Sequence, residues 1–174
     1  ELSERPYCIA EPKPIEKSGT LHVANETFEV VTGIVKWTLR DSESRVLKSG
    51  EEAVTVPALD GVWLEKQDFS SYDEREIHMT YSFTVDGKVV SENTCLFTAP
   101  KHYYFKNPHL RLKQEGSKIT VTADAYAKNV ELYDESGDVR FSDNYFDMDA
   151  GEYTVEIIEG TPENLKCRSV FDIA

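Results

Sequence analysis

From Thr20 to the C-terminus, apolar residues recur at every second position, and this period of two constrains the fold more than any other feature. Ile77, Met79, Tyr81, Phe83 and Val85 alternate with His78, Thr80, Ser82 and Thr84, so an extended strand there has one apolar and one polar face. Val35, Trp37 and Leu39 alternate in the same way with Lys36, Thr38 and Arg40, and Ile119, Val121 and Ala123 with Thr120, Thr122 and Asp124. No stretch carries a helical stripe over three turns. Asp86-Gly87 follows Val85 directly, the signal of a two-residue hairpin turn of primed type. Further turn signals lie at 41–45, 57–61, 115–117, 134–137 and 160–162. Short strands about 8–12 residues apart predict an all-β protein made of β-sandwiches.

The strand pattern restarts after Ala99-Pro-Lys101, which predicts two tandem immunoglobulin-like sandwiches, 1–99 and 100–174. Residues 1–19, with Pro6, Pro12 and Pro14, read as a linker or an entering edge segment, because proline removes ladder donors. Cys167, Ser169, Phe171 and Ile173 alternate as a last strand. The second unit is short for a single core, so it is expected to lean on a neighbour.

Asp149-x-Gly151-x-Tyr153 runs into alternation, with Tyr153, Val155 and Ile157 on one face and Thr154 and Glu156 on the other. An acidic residue, a glycine and a tyrosine entering a strand form the pattern of a tyrosine corner. A mostly buried Tyr153 ring is expected, its hydroxyl bonding backbone a few residues upstream, near Asp149. Val155 stands where an antibody domain has its second cysteine, and its packing replaces a disulfide.

The formal net charge is −13. Such a surface repels phosphate backbones, which excludes nucleic acid as the expected partner. No apolar run approaches the ~20 residues that span a bilayer, so no membrane partner is expected. The start, Glu1-Leu-Ser-Glu-Arg-Pro, has neither an initiator methionine nor an apolar leader core, as a fragment of a longer chain would show. The compartment stays open, a cytoplasmic setting being the preferred reading. Cys8, Cys95 and Cys167 are odd in number and widely spaced, which disfavours a disulfide framework or a zinc site. The histidines, His22, His78, His102 and His109, have no ligand spacing, and His22 and His78 fall on the outward phase of their strands. Neither cofactor nor metal is expected.

Asp143, Asn144 and Asp147 lack the spacing of a calcium loop, and their expected role is to hydrogen-bond backbone at a turn, with Asn144 a candidate for the left-handed conformation. Tyr103, Tyr104 and Phe105 are three consecutive aromatics, so they cannot all face one side of a strand. Together with Tyr145 they are the candidates for a domain interface or for sugar contact.

Phe141-Ser-Asp-Asn-Tyr-Phe-Asp147, followed by Gly151-Glu152, resembles the C-terminal immunoglobulin-like domain of β-mannosidases of glycoside hydrolase family two. Ala123-Asp-Ala-Tyr-Ala-Lys128 fits the same domain, and Leu21-His-Val-Ala-Asn-Glu-Thr27 resembles the start of the domain before it. The resemblance implies that a parent enzyme hydrolyses β-mannosides with two carboxylates in a barrel that these residues do not include. It implies a structural, non-catalytic role here, with the parent's catalytic domain as partner. The alternative is a carbohydrate-binding module acting through exposed aromatics. Asn25-Glu26 matches the dipeptide that carries the acid/base glutamate in family-two enzymes, but it lies in a strand-end context of the accessory domain and is read as a solvated strand end. Asn25-Glu-Thr27 also matches the glycosylation sequon.

Overall fold

The computed structural model describes residues 5–14, 16–135 and 137–173. They form two compact units, one of residues up to 41 with 45–103, the other of residues from 104 on with 42–44. Each is an antiparallel two-sheet sandwich.

In the first unit, β1 (Tyr7–Lys13), β2 (Ser18–Asn25), β3 (Val31–Asp41), β4 (Val46–Val56), β5 (Asp60–Trp63), β6 (Gln67–Asp68), β7 (Ile77–Val85) and β8 (Lys88–Leu96) follow in order. One sheet has the order β1-β2-β5, with β6 also on β2, and the other has the order β4-β3-β7-β8. The long strands bury alternate residues because their sequence alternates: Val35, Trp37 and Leu39 of β3 meet Phe83, Tyr81 and Met79 of β7 in register. The second layer of this core comes from Cys8, Leu21 and Val23, joined by Phe69 and Phe97, whose rings meet edge to face. Asp86 and Gly87 both adopt positive φ, 50° and 75°, and Val85 pairs with Lys88, so the two-residue primed hairpin forms as expected. Residues 7–13 are an edge strand, where Pro12 costs no ladder bond of a central strand.

The second unit contains β9 (Arg111–Glu115), β10 (Lys118–Ala123), β11 (Ala127–Asp134), β12 (Arg140–Phe141), β13 (Phe146–Met148), β14 (Gly151–Glu159) and β15 (Leu165–Arg168). Its sheets run β12-β14-β10-β9 and β13-β11-β15. Ile119, Val121 and Val155 from one sheet and Val130, Leu132, Phe146 and Met148 from the other form its core. The expected last strand stops at Arg168. Residues 170–173 form a single helical turn instead, opened by Ser169, whose N–H and hydroxyl both donate to Asp172. That local bonding overrides the alternation of Ser169, Phe171 and Ile173.

One outward assignment is also corrected. His78 is wholly buried, because Tyr103 covers the face of β7 opposite Ile77 and Met79, and its Nδ1 lies 3.1 Å from the Tyr103 hydroxyl. Glu26 is exposed at the end of β2, while Asn25 beside it is buried: the Asn25 amide donates to the carbonyls of Glu29, Val56 and Pro57, and its Oδ1 accepts from Thr27.

Candidate functional site

Sequence reasoning singled out two places, the corner around Tyr153 and the aromatics at 103–105 and 145. The structure adds a third, on the outer face of β2 and β5.

β12 brings the 141–143 segment alongside β14: Phe141 opposes Ile157, and the Ser142 N–H donates to the Glu156 carbonyl. Asp143 is thereby placed beside Tyr153, and the Tyr153 hydroxyl donates to its carboxylate at 2.6 Å. Asp149 is half-buried at the same corner. The Tyr153 residue is of intermediate burial, and its ring stacks on Phe146 with centroids 4.1 Å apart. Asp147 serves as a second anchor, accepting from the Tyr126 hydroxyl, the Lys128 ammonium and the Asn129 N–H. Asn144 is not the left-handed residue. Tyr145 is, at φ 60°, while the Asn144 side chain accepts from Leu132 N–H at 2.7 Å and donates to Leu132 C=O at 2.9 Å. The Asp-Asn-Tyr-Phe-Asp run therefore fastens the turn to β11. Among the described residues no cluster of three or more His, Cys, Asp or Glu is placed to hold a metal ion.

The aromatic candidates separate. Tyr103 is buried within the first unit, so it offers no surface to a sugar or a partner. Phe105 is half-buried and stacks on Tyr126. Tyr104 and Tyr145 are exposed, and the Tyr145 hydroxyl donates to Glu131, which also accepts from Arg168. Burial pushes the Cys8 thiol up to about 12 and the Cys167 thiol up to about 11, far above the range in which a thiolate forms at neutral pH.

The third place is a shallow, open pocket of about 400 Å³ on the first unit. β2 and β5 pair with His22 opposite Trp63 and Ala24 opposite Gly61, so these side chains share one face. The two rings lie 4.4 Å apart, tilted by 40°. Trp63 remains 58% exposed. Gly61 is required beneath the imidazole, since a Cβ there would run into the His22 ring. Glu26 and Asp60 stand on the rim, Glu26 accepting from the Tyr7 hydroxyl and Asp60 from the Gly61 N–H. Sequence reasoning left Trp63 without a role. Its signal was available: Val62 and Leu64 point inward, so the residue between them must point out.

Two domains of immunoglobulin-like sandwich type, joined in tandem, define the class of this chain. Residues 18–102 match the mannosidase Ig/CBM-like domain and residues 105–173 the mannosidase-type Ig-fold domain, and the chain belongs to these immunoglobulin-like domains of the mannosidase group. Among solved structures it is similar to a β-D-mannosidase from Dictyoglomus thermophilum, with a TM-score of 0.74 at 15% identity, over 95% of this chain and 22% of that one. It is similar also to the exo-chitosanase CsxA of Amycolatopsis orientalis, with a TM-score of 0.60 at 15% identity, over 93% of this chain and 26% of that one. The chain thus spans about a quarter of the length of these enzymes. No curated protein sequence matches it. It carries accessory domains of the glycoside hydrolase type.

Proposed function

We propose that this chain is a non-catalytic accessory region of a β-mannosidase-like glycoside hydrolase, which packs against the catalytic domain and supports it. The observation that carries the reading is the tandem of two mannosidase-group domains, together with a fold similar over 95% of the chain to part of a β-D-mannosidase. The division between the domains falls in the 99–104 stretch, supported by sheets that each draw strands from one side of it only. Exposed Tyr104 and Tyr145 are the candidate anchors for a neighbouring domain, because aromatics that keep a polar tip are favoured at interfaces. The test compares the isolated chain with the longer gene product that contains it. The longer protein is expected to hydrolyse a chromogenic β-mannoside and the isolated chain to leave it intact. Turnover by the isolated chain that disappears with Glu26→Gln would overturn the reading.

A further inference from the structure

We infer that the His22–Trp63 pocket is a carbohydrate subsite for an uncharged or amino-substituted pyranose ring. This goes beyond the accessory role and does not depend on it. Three features of the pocket point to such a ligand.

The first is the platform. Trp63 keeps most of its indole in solvent although it packs on His22, and the cross-strand pairing with β2 holds it in place. The negative face of an indole attracts the weakly positive C–H groups that line one face of a pyranose. The second is the rim. Glu26 and Asp60 are exposed carboxylates, Glu26 accepting from the Tyr7 hydroxyl and Asp60 from the Gly61 N–H. An ionised carboxylate can accept about four hydrogen bonds, so acceptors remain for sugar hydroxyls or an ammonium group. The third is the shape. The tilted His22 ring, seated over Gly61, lines the pocket and sets a polar ring edge beside the platform.

The same features argue against other occupants. The core of a protein interface is depleted of charge, because desolvating carboxylates is costly, and here two carboxylates stand beside the exposed apolar surfaces of Trp63 and Leu59. A phosphate or a uronic acid would meet like charge at Glu26 and Asp60. A sugar ring matches both parts at once, with C–H groups for the indole and hydroxyls for the rim.

The experiment titrates the whole chain with mannotetraose, glucosamine tetramer and a galacturonate oligomer, following the Trp63 indole and Gly61 amide signals by NMR. Mannotetraose or the glucosamine tetramer is expected to bind with a dissociation constant of about 1–10 mM, as suits a shallow site with one aromatic platform. Trp63→Ala should weaken that binding at least tenfold. Asp60→Asn with Glu26→Gln should weaken glucosamine tetramer more than mannotetraose. The fold of each variant is checked by the unchanged amide spectrum of the second unit and by retained signals of Val35 and Phe83. No shift at Trp63 with either neutral or amino sugar overturns the proposal. So does binding that survives Trp63→Ala, or equal binding of the galacturonate oligomer.

Discussion

Tyr153 shows how much one side chain decides in the second unit. Its ring stacks on Phe146, and its hydroxyl is held by Asp143, so it ties β14 to the turn that precedes β13. Removing the hydroxyl alone, in Tyr153→Phe, is expected to lower stability by about 0.5–1.5 kcal/mol, the usual net worth of a hydrogen bond. Tyr153→Ala also loses the stacked ring, and partial exposure brings its cost to about 2–4 kcal/mol, below that of a fully enclosed aromatic. Urea titration of the purified variants measures both. A phenylalanine variant with the wild-type midpoint would show that the Asp143 bond contributes nothing. The importance of Tyr153 was legible from Asp-Ala-Gly-Glu-Tyr entering an alternating strand. Its bond to Asp143 was not, because Asp143 reaches it through the pairing of β12 with β14, and no local spacing encodes that register. His78 was misread for a similar reason. Strand phase gives the face a residue occupies, and only tertiary structure shows that Tyr103 covers that face.

At the scale of elements, the strands follow from the period of two, and their ends depend on side chains that imitate backbone. β13 pairs with β11 as far as Val130 opposite Phe146. Beyond it the chain turns away through Tyr145, in a left-handed conformation that costs a non-glycine residue roughly 1–2 kcal/mol. The Asn144 amide then does what a strand residue would, both accepting from and donating to Leu132. Asn144→Ala is expected to cost about 1–3 kcal/mol, since it strips partners from two backbone groups. Asn144→Asp keeps the acceptor but sets a carboxylate against the Leu132 carbonyl, so it should be at least as harmful as alanine. Thermal melts of the two variants decide the order, and an aspartate variant as stable as wild type would refute the strand-mimic role. The sequence made it evident that this run fastens a turn. Which of its residues would take positive φ was not evident: asparagine tolerates that conformation better than tyrosine, but here its side chain is needed in the ladder.

At the scale of the whole molecule, the excess of acid makes stability depend on pH from both sides. Surface carboxylates in both units are held below their ordinary values by partners in the folded state: the partly buried Glu131 chiefly by the bond from Arg168 and then by Tyr145, Asp124 by Arg111, and Asp68 by the Ser70 N–H. A carboxyl whose folded value is depressed stabilises the fold above its unfolded value of about 4 and loses that contribution as pH falls further, because the unfolded chain then binds more protons. On the alkaline side the sign is reversed. Burial raises Cys8 and Tyr81 to about 12, so the folded chain keeps protons that the unfolded chain releases from about pH 8.5 upward, and stability falls as pH rises. The urea midpoint of the chain should therefore be highest between about pH 5 and 8 and fall on both sides. Glu131→Gln should flatten the acid limb, since a neutral amide cannot lose a charge-assisted bond to Arg168 on protonation, and Cys8→Ala should flatten the alkaline limb. An acid limb that Glu131→Gln leaves unchanged would assign the loss to general relief or build-up of charge rather than to this pair. At net charge −13, that outcome would be recognised by its disappearance in high salt, which screens distant exposed charges far more than an ion pair in contact.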